Sequence, residues 1–210
     1  MKTLYIPVKS KLKLDELIIK DLSKKLPKNI AIAYSIQFKD IAFEIKNRLK
    51  DTHDVKIILQ VLGCSNPKFS KEIQAILLIS NGKFHAVSLA YETNLPVFLL
   101  DHNKLEKISN EQIENMKKNQ KASYVRYLSA KNIGILVSTK PGQENLKQAL
   151  DFKNNLKDKK AYLFIANNLN TNEFENFNID SWVNTACPRM DLNNNKIINL
   201  KYVRESHKIL

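Results

Sequence analysis

Short, largely apolar runs that alternate with amphipathic stretches constrain the fold of this chain most. Runs of this length and composition are typical of strands that are buried on both faces of a sheet. The stretches between them carry apolar residues at helical spacing, as expected for helices that cover such a sheet. The main runs are residues 30–34, 55–61, 75–79, 96–100, 133–137 and 161–166. The sequence therefore predicts an α/β fold with parallel sheets.

The number of runs predicts two small parallel-sheet α/β sandwich domains, residues 1–104 and 105–210. Residues 105–128 are polar with sparse apolar positions, and we expect one or two helices there that cross from one domain to the next. Two weaker elements are also predicted, a first strand at residues 4–8 and a short helix at residues 70–74. No repeat of fixed period is visible, although the halves are candidates for weak structural repeats.

Composition limits the partners and the compartment. The chain has 210 residues and a formal net charge of +13 at pH 7. Such a charge favours acidic partners, but the lysines are scattered and form no compact basic stripe with interleaved aromatic residues, so no dedicated nucleic-acid site is predicted. No apolar run approaches the roughly 20 residues of a spanning helix, and the strand-like N-terminus does not resemble a signal peptide. We therefore expect a cytoplasmic protein without a membrane partner.

Both cysteines follow predicted strands. Gly63 and Cys64 come after the run at 55–61, and Cys187 comes after a predicted strand at 179–183 and directly before Pro188. Proline cannot donate to a strand ladder and pushes the preceding residue into an extended conformation. In open α/β sheets, ligands bind at the carboxyl ends of the strands. A reduced thiol, a metal ligand and a small core residue all remain open for each cysteine, since their separation forms no local metal motif.

Two more loops follow predicted strands, at residues 80–85 and 138–143. The second precedes a helix, so its backbone N–H groups and Lys140 can hold a carboxylate or phosphate, although its spacing is not that of a P-loop. His85 in the first is a candidate base or ligand contact, and a capping histidine is the alternative. Three of the four glycines fall in the candidate loops, which indicates turns with special backbone geometry. An ordinary strand-to-helix turn is the alternative for each loop taken alone.

Five segments together resemble the archaeal diphthamide synthase family, the 3-amino-3-carboxypropyl transferases that act on translation elongation factor 2. They occur in the family's order, and the most specific are GILVSTKPGQ at 134–143 and DSWVNTACPR at 180–189. The others are QVLGC at 60–64, LISNGKFH at 78–85 and PVFLLD at 96–101. The resemblance spans nearly the whole chain.

The resemblance implies a cofactor and a reaction. Members of the family have three similar α/β domains, each of which gives one cysteine to a 4Fe–4S cluster that binds S-adenosylmethionine. The 3-amino-3-carboxypropyl group then reaches a histidine of the elongation factor by a radical route. Cys64 and Cys187 match the metal ligands of the second and third domains. The residues implied to bind S-adenosylmethionine are Gly82, His85, Ser138, Thr139, Lys140, Gly142 and Gln143.

The sequence departs from the family in two places. Leu59 stands where the family usually has a glycine, and residue 1 aligns with the start of the second domain, so the first domain and its cysteine lie outside these residues. Thiolates hold such clusters, and three interpretations follow. The chain is one half of a split synthase, or a supporting subunit, or a binding protein without a functional cluster. Both cysteines stand in their motifs, which favours the first two and predicts a partner chain or a homodimer.

Overall fold

The structure, a computed structural model, describes residues 4, 6, 8–62, 65–191 and 194–205. The chain forms two compact units, residues 1–113 and 114–210. The division falls inside a helix rather than at residue 104, because residues 104–107 form a strand of the first sheet. Among the described residues, none of the helices combines the length and the apolar character that crossing a bilayer requires.

In its described residues, the first unit contains a five-stranded sheet with the order β2-β1-β3-β4-β5. The pairs β1–β2, β1–β3 and β3–β4 are parallel, and β5 runs antiparallel to β4. The strands are β1 (Asn29–Tyr34), β2 (Asp54–Gln60), β3 (Ala75–Ile79), β4 (Val97–Asp101) and β5 (Lys104–Lys107), and the helices are α1 (Glu16–Lys25), α2 (Lys39–Leu49) and α3 (Phe84–Thr93).

The first sheet has an apolar core on each face. Successive side chains of a strand point to opposite faces, so Ile30 and Ile32 of β1 pack with α1 and α2, while Ala31 and Ala33 pack with α3. All four are fully buried. This two-sided burial explains why the strand reads as a continuous apolar run.

The second unit contains, within the described ranges, a four-stranded parallel sheet with the order β7-β6-β8-β9. Its elements are α4 (Asn110–Ser129), β6 (Asn132–Ser138), α5 (Leu146–Asn155), β7 (Lys160–Ala166), β8 (Ser181–Asn184), β9 (Ile197–Asn199) and α6 (Leu200–Arg204). Trp182 is buried on one face, where it stacks on Phe174 at a centroid distance of 4.2 Å. A Cβ atom at Gly134 would lie 2.3 Å from the indole, so only glycine leaves room for this tryptophan.

The two units repeat one strand order, because β2-β1-β3-β4 corresponds to β7-β6-β8-β9. Equivalent hydrogen bonds fix the register of the repeat. The N–H of Gln74, just before β3, donates to the carbonyl of Asn29 at 2.9 Å, and the N–H of Asp180, just before β8, donates to that of Asn132 at 3.0 Å. Counting from Gln74 and Asp180 therefore gives each residue of β8 a counterpart in β3.

The predicted fold class, two α/β units with parallel sheets, is confirmed. Three local predictions are wrong. Residues 70–74 form a turn and not a helix, Leu4, Ile6 and Val8 are exposed and lie outside the strands, and the predicted helical stretch at 105–128 begins with the end of β5. The segment 104–107 reads Lys-Leu-Glu-Lys, which is too polar to resemble a buried strand, and as an edge strand it does not need to be apolar.

Candidate functional site

Cys187 lies in the loop that leaves the carboxyl end of β8, the inner strand between β6 and β9. Its thiol is free and half-buried. The loop after β6 leaves the same edge of the sheet, because β6 and β8 are parallel neighbours. This is the edge where ligands bind in open α/β sheets.

Two buried asparagines hold the loop of Cys187. The Asn184 side chain accepts a hydrogen bond from the N–H of Ala186 (2.9 Å) and donates to the carbonyl of Cys187 (2.8 Å). It also donates to Oδ1 of Asn199 (2.6 Å), and the Asn199 amide donates to the carbonyl of Pro188 (3.0 Å). Asn184 and Asn199 are 2% and 6% exposed. The backbone is therefore fixed on both sides of the cysteine.

The loop predicted to hold S-adenosylmethionine follows β6. Ser138, the last residue of that strand, is buried, and its hydroxyl donates to the carbonyl of Asn167 (3.3 Å) and accepts from the N–H of Lys140 (3.2 Å). The N–H of Gln143 closes a turn on the carbonyl of Lys140 (3.0 Å), with Gly142 at a φ of 77°. Glycine adopts this left-handed conformation without steric cost.

The exposure of these loop residues differs. Thr139 and Gly142 are exposed, and Lys140 and Gln143 are half-buried, whereas the Ser138 hydroxyl is used within the loop itself. The backbone and Lys140 are thus better placed than Ser138 to meet a ligand. Their assignment to S-adenosylmethionine stays a prediction.

Asn145 joins the loop after β6 to the loop of Cys187. Its side-chain amide donates to the carbonyl of Thr185 at 2.7 Å, and the Thr185 hydroxyl donates to the carbonyl of Leu136 at 2.7 Å. The structure therefore brings the 138–143 segment and the Cys187 loop together within the second unit. No local pattern predicts this contact, since Asn145 and Thr185 lie 40 residues apart.

In the first unit, His85 belongs to a short chain of polar side chains at the carboxyl ends of β1 and β3. Its Nδ1 lies 3.1 Å from Oγ of Ser80, which lies 2.7 Å from Oγ of Ser35. Either serine hydroxyl can donate along this chain, and Nδ1 can donate or accept, so hydrogen bonds link the three side chains in either direction. His85 is not the N-cap of α3, which is Lys83. The bond to Ser80 replaces the predicted alternative of a capping histidine.

Gly82 lies in the same loop at a φ of 76°, and among the described residues, its chain neighbours apart, no atom lies within 4 Å of where its Cβ would be. Its N–H donates to Oδ2 of Asp101 at 2.9 Å, which ties the loop after β3 to the end of β4. A ligand can approach this open backbone closely. The predicted metal ligand Cys64 and its neighbour Gly63 lie outside the described residues.

Cys187 is a candidate metal ligand. In the part of the chain that the structure describes, which leaves out Cys64, no group of three or more His, Cys, Asp or Glu side chains is placed to hold a metal ion. Thiolates are the usual ligands of iron–sulfur clusters, and Cys187 offers an accessible one on a fixed backbone. Cys187 therefore fits the role of one cluster ligand, and the remaining ligands must come from elsewhere.

A separate groove of about 730 Å³ lies at the opposite, amino edge of the second sheet. Among the described residues that line it, the carboxylate is that of Asp180, which accepts from the N–H groups of Asn132 (2.7 Å) and Lys131 (2.9 Å). These two donors, that of Asn132 first, hold the pKa of Asp180 below its ordinary value. The carboxylate thus anchors the start of β6, and we place the candidate site at the carboxyl edge, where the cysteine lies.

Comparison with known proteins shows a match to one family. Residues 1–197 match the sequence profile of the family described as diphthamide synthesis protein. The 2-(3-amino-3-carboxypropyl)histidine synthase of Pyrococcus horikoshii is 32% identical over 135 residues, which are 63% of this chain and 39% of the relative. The synthase of the same name from Methanocaldococcus jannaschii is 29% identical over 207 residues, or 91% of this chain and 56% of the relative.

Solved structures match as well. The crystal structure of Dph2 from Pyrococcus horikoshii superposes with a TM-score of 0.78 at 24% identity, covering 94% of this chain and 63% of that one. The structure of the same protein with a 4Fe–4S cluster gives a TM-score of 0.75 at 25% identity, covering 90% and 60%. The chain spans about half the length of the curated relatives it matches.

Proposed function

We propose that this chain, which belongs to the diphthamide synthesis protein family, forms part of a diphthamide synthase. The reaction is the transfer of a 3-amino-3-carboxypropyl group from S-adenosylmethionine to a histidine of translation elongation factor 2. The observation that carries the proposal is the fixed Cys187 loop at the ligand-binding edge of a unit that matches the family. The names of the relatives support an enzyme role.

In this proposal Cys187 and Cys64 are two ligands of a 4Fe–4S cluster. A cluster of this type, when bound, supplies the electron that reductive cleavage of S-adenosylmethionine needs. The sequence contains only two cysteines, so a third thiolate has to come from outside these 210 residues. Another polypeptide is the source that we favour, and a second copy of this chain is the alternative.

The predicted substrate loops, one in each unit, would hold and orient the substrate. Lys140 and the N–H groups before α5 offer positive potential for the carboxylate of S-adenosylmethionine. Gly142 and Gly82 allow the backbone to approach the ligand. His85 is the candidate base or polar contact to the ligand.

A second candidate function is a supporting subunit, or a protein that binds S-adenosylmethionine without a functional cluster. The cysteine count favours it, because two thiolates hold a cluster less completely than three. In that case the binding loops keep their role, and the chemistry belongs to a partner.

The test is anaerobic reconstitution with iron and sulfide, followed by dithionite, S-adenosylmethionine and elongation factor 2. The assay is run on this chain alone, with candidate partner chains, and with Cys64→Ser and Cys187→Ser variants. We expect the chain alone to be inactive, and transfer to require both cysteines and a partner. Lys140→Ala should weaken binding of S-adenosylmethionine in calorimetry of the assembly, with exposed Lys147→Ala as the matched control.

Each other outcome selects another function. Transfer that survives the double variant Cys64→Ser/Cys187→Ser identifies a supporting subunit. Strong transfer by the isolated chain refutes the need for a partner thiolate and leaves a non-cysteine ligand or a site shared between two copies. Unchanged affinity after Lys140→Ala removes that lysine from the substrate site.

A further inference from the structure

We infer that Asn184 and Asn199 are positioning residues, which set the backbone of Cys187 before any cluster binds. The placement of the loop stands on the hydrogen bonds of this chain alone. The link to cluster binding rests on the proposed function. The asparagine pair (Asn184 with Asn199) occupies core positions and holds the backbone around the cysteine by hydrogen bonds. We call this arrangement the clamp.

The first unit shows which side chains the fold accepts at the positions equivalent to Asn184 and Asn199. Counted from Gln74 and Asp180, the counterpart of Asn184 is Leu78. Leu78 pairs with Leu99 across β3 and β4, as Asn184 pairs with Asn199 across β8 and β9. Both leucines are buried, at 0% and 1% exposed. The same ladder position therefore carries a leucine pair in one sheet and the asparagine pair in the other.

Burying two amides costs free energy unless their donors and acceptors are paired. The leucine pair shows that this strand order packs with apolar side chains at the same ladder position, so sheet packing alone does not call for amides there. What the amides add is four hydrogen bonds, one between themselves and three to the backbone at Ala186, Cys187 and Pro188. Those three residues are the cysteine and its two neighbours.

The bonds restrict the loop in a defined way. The carbonyl of Cys187 accepts from the Asn184 amide at 2.8 Å and from the N–H of Met190 at 3.3 Å, so this peptide group is held from two directions. The carbonyl of Pro188 is held by Asn199. A thiolate on a fixed backbone loses less conformational entropy when it binds a metal than one on a mobile loop.

The test uses leucine in place of each asparagine, since the first unit carries leucine there. In a Cys64→Ser background, Cys187 is the single thiol of the chain. Its rate of alkylation by iodoacetamide in the metal-free protein then measures how firmly the loop holds the thiol. We expect Asn184→Leu, Asn199→Leu and the double variant to alkylate faster by at least about tenfold, the factor that corresponds to the net loss of one of these hydrogen bonds.

Control variants distinguish loss of the clamp from a general loss of folding. Asn155→Leu changes an exposed asparagine of α5 and should leave the rate unchanged. Asn199→Asp keeps the acceptor for Asn184 and should alkylate more slowly than Asn199→Leu. Fluorescence of Trp182, the single tryptophan, reports whether the second unit is folded. Alkylation within twofold of the parent chain in a folded double variant would overturn the inference.

A second measurement tests the link to the cluster. In the reconstituted assembly with Cys64 present, the Asn184→Leu/Asn199→Leu protein should lose iron to a chelator several times faster than the parent. Equal rates of iron loss would show that the clamp affects the loop but not cluster binding, and would overturn the link to the cluster. If the parent assembly binds no cluster at all, the proposed function fails, while the alkylation rates still decide whether the asparagine pair positions Cys187.

Discussion

The sheets of the two units share one strand order, yet the cysteine follows a different strand in each. Cys64 comes after β2, the edge strand, whereas Cys187 comes after β8, an inner strand. The unit-one counterpart of the Cys187 loop is the Ser80 loop, which carries no cysteine. The repeat therefore covers the strand order but not the position of the cysteine, as expected when function lies in loops placed on a common fold.

The amino ends of the sheets are alike. In each unit, the residue before the edge strand satisfies carbonyls at the C-terminus of a helix. His53 Nε2 lies 3.2 Å from the carbonyl of Leu26 after α1, and Lys159 Nζ lies 2.8 Å from that of Leu128 in α4. The residue before the third strand caps the first strand, since Gln74 accepts from the N–H of Asn29 as Asp180 does from that of Asn132.

The largest predicted effect concerns the interior of the sheets. Gly134 opposite Trp182 is the counterpart of Ala31 opposite Ile76. Gly134→Ala places a methyl group within 2.3 Å of the indole, and we expect a loss of about 3 kcal/mol in the free energy of unfolding. Denaturant unfolding followed by Trp182 fluorescence measures it.

The reverse change in the first unit is the matched control. Ala31→Gly should cost only about 1 kcal/mol, mainly through backbone entropy. The double variant Gly134→Ala/Trp182→Ile recreates the Ala31 and Ile76 pair, so the alanine should cost much less in that background by circular dichroism. Equal costs of the alanine in both backgrounds would contradict the packing account.

A middle-sized effect is expected at the helix ends. His53→Ala should lower the free energy of unfolding by about 2 kcal/mol, because it removes a buried ring and leaves a helix carbonyl unpaired. Lys159→Ala should cost about 1 kcal/mol, because Lys159 is half-buried and its charge acts at a helix C-terminus. Thermal and denaturant unfolding measure both.

The dependence on salt concentration distinguishes the charge contribution of Lys159 from the packing contribution of His53. The cost of Lys159→Ala should shrink in high salt, which screens the charge, while the packing cost of His53→Ala should persist. Lys157→Ala, an exposed neighbour, is the control and should change little. A cost of Lys159→Ala that does not depend on salt would point to packing on Tyr127 instead, whose ring lies 5.4 Å away.

The smallest effect is a difference in pH dependence at the capping residues. The pKa of Asp180 is lowered in the folded protein by the N–H groups of Asn132 and Lys131. Its contribution is therefore present above the unfolded carboxyl pKa and is lost as pH falls through the folded value. Asp180→Asn should cost about 0.5 kcal/mol at neutral pH, and the gap to the parent should close in acid.

In the first unit, a carboxylate can be added at the equivalent position instead of removed. Gln74 is neutral, so Gln74→Glu should add a small pH-dependent contribution of the same sign at the Asn29 N–H. Urea unfolding at neutral and acidic pH compares the two variants. A gap between Asp180→Asn and the parent that stays constant across this range would show that the carboxylate charge does not contribute.

The sequence determined the elements of this protein whose pattern is local. Continuous apolar runs identified β1, β3, β4 and β6, because a strand buried on both faces must be apolar along its length. Glycine and proline marked the turns. Cys187 was placed correctly after a strand, because Pro188 stops ladder pairing there.

Only the tertiary structure decided what depends on partners distant in the chain. Strand order brought Asn184 next to Asn199, and Ser35 next to Ser80, although each pair is far apart in sequence and polar residues at strand ends resemble ordinary loops. His53 is buried under a helix end, although its polar sequence neighbours resemble a surface loop. Local sequence encodes which segments can be strands, whereas burial and pairing depend on which segments meet, and this is a property of the whole chain.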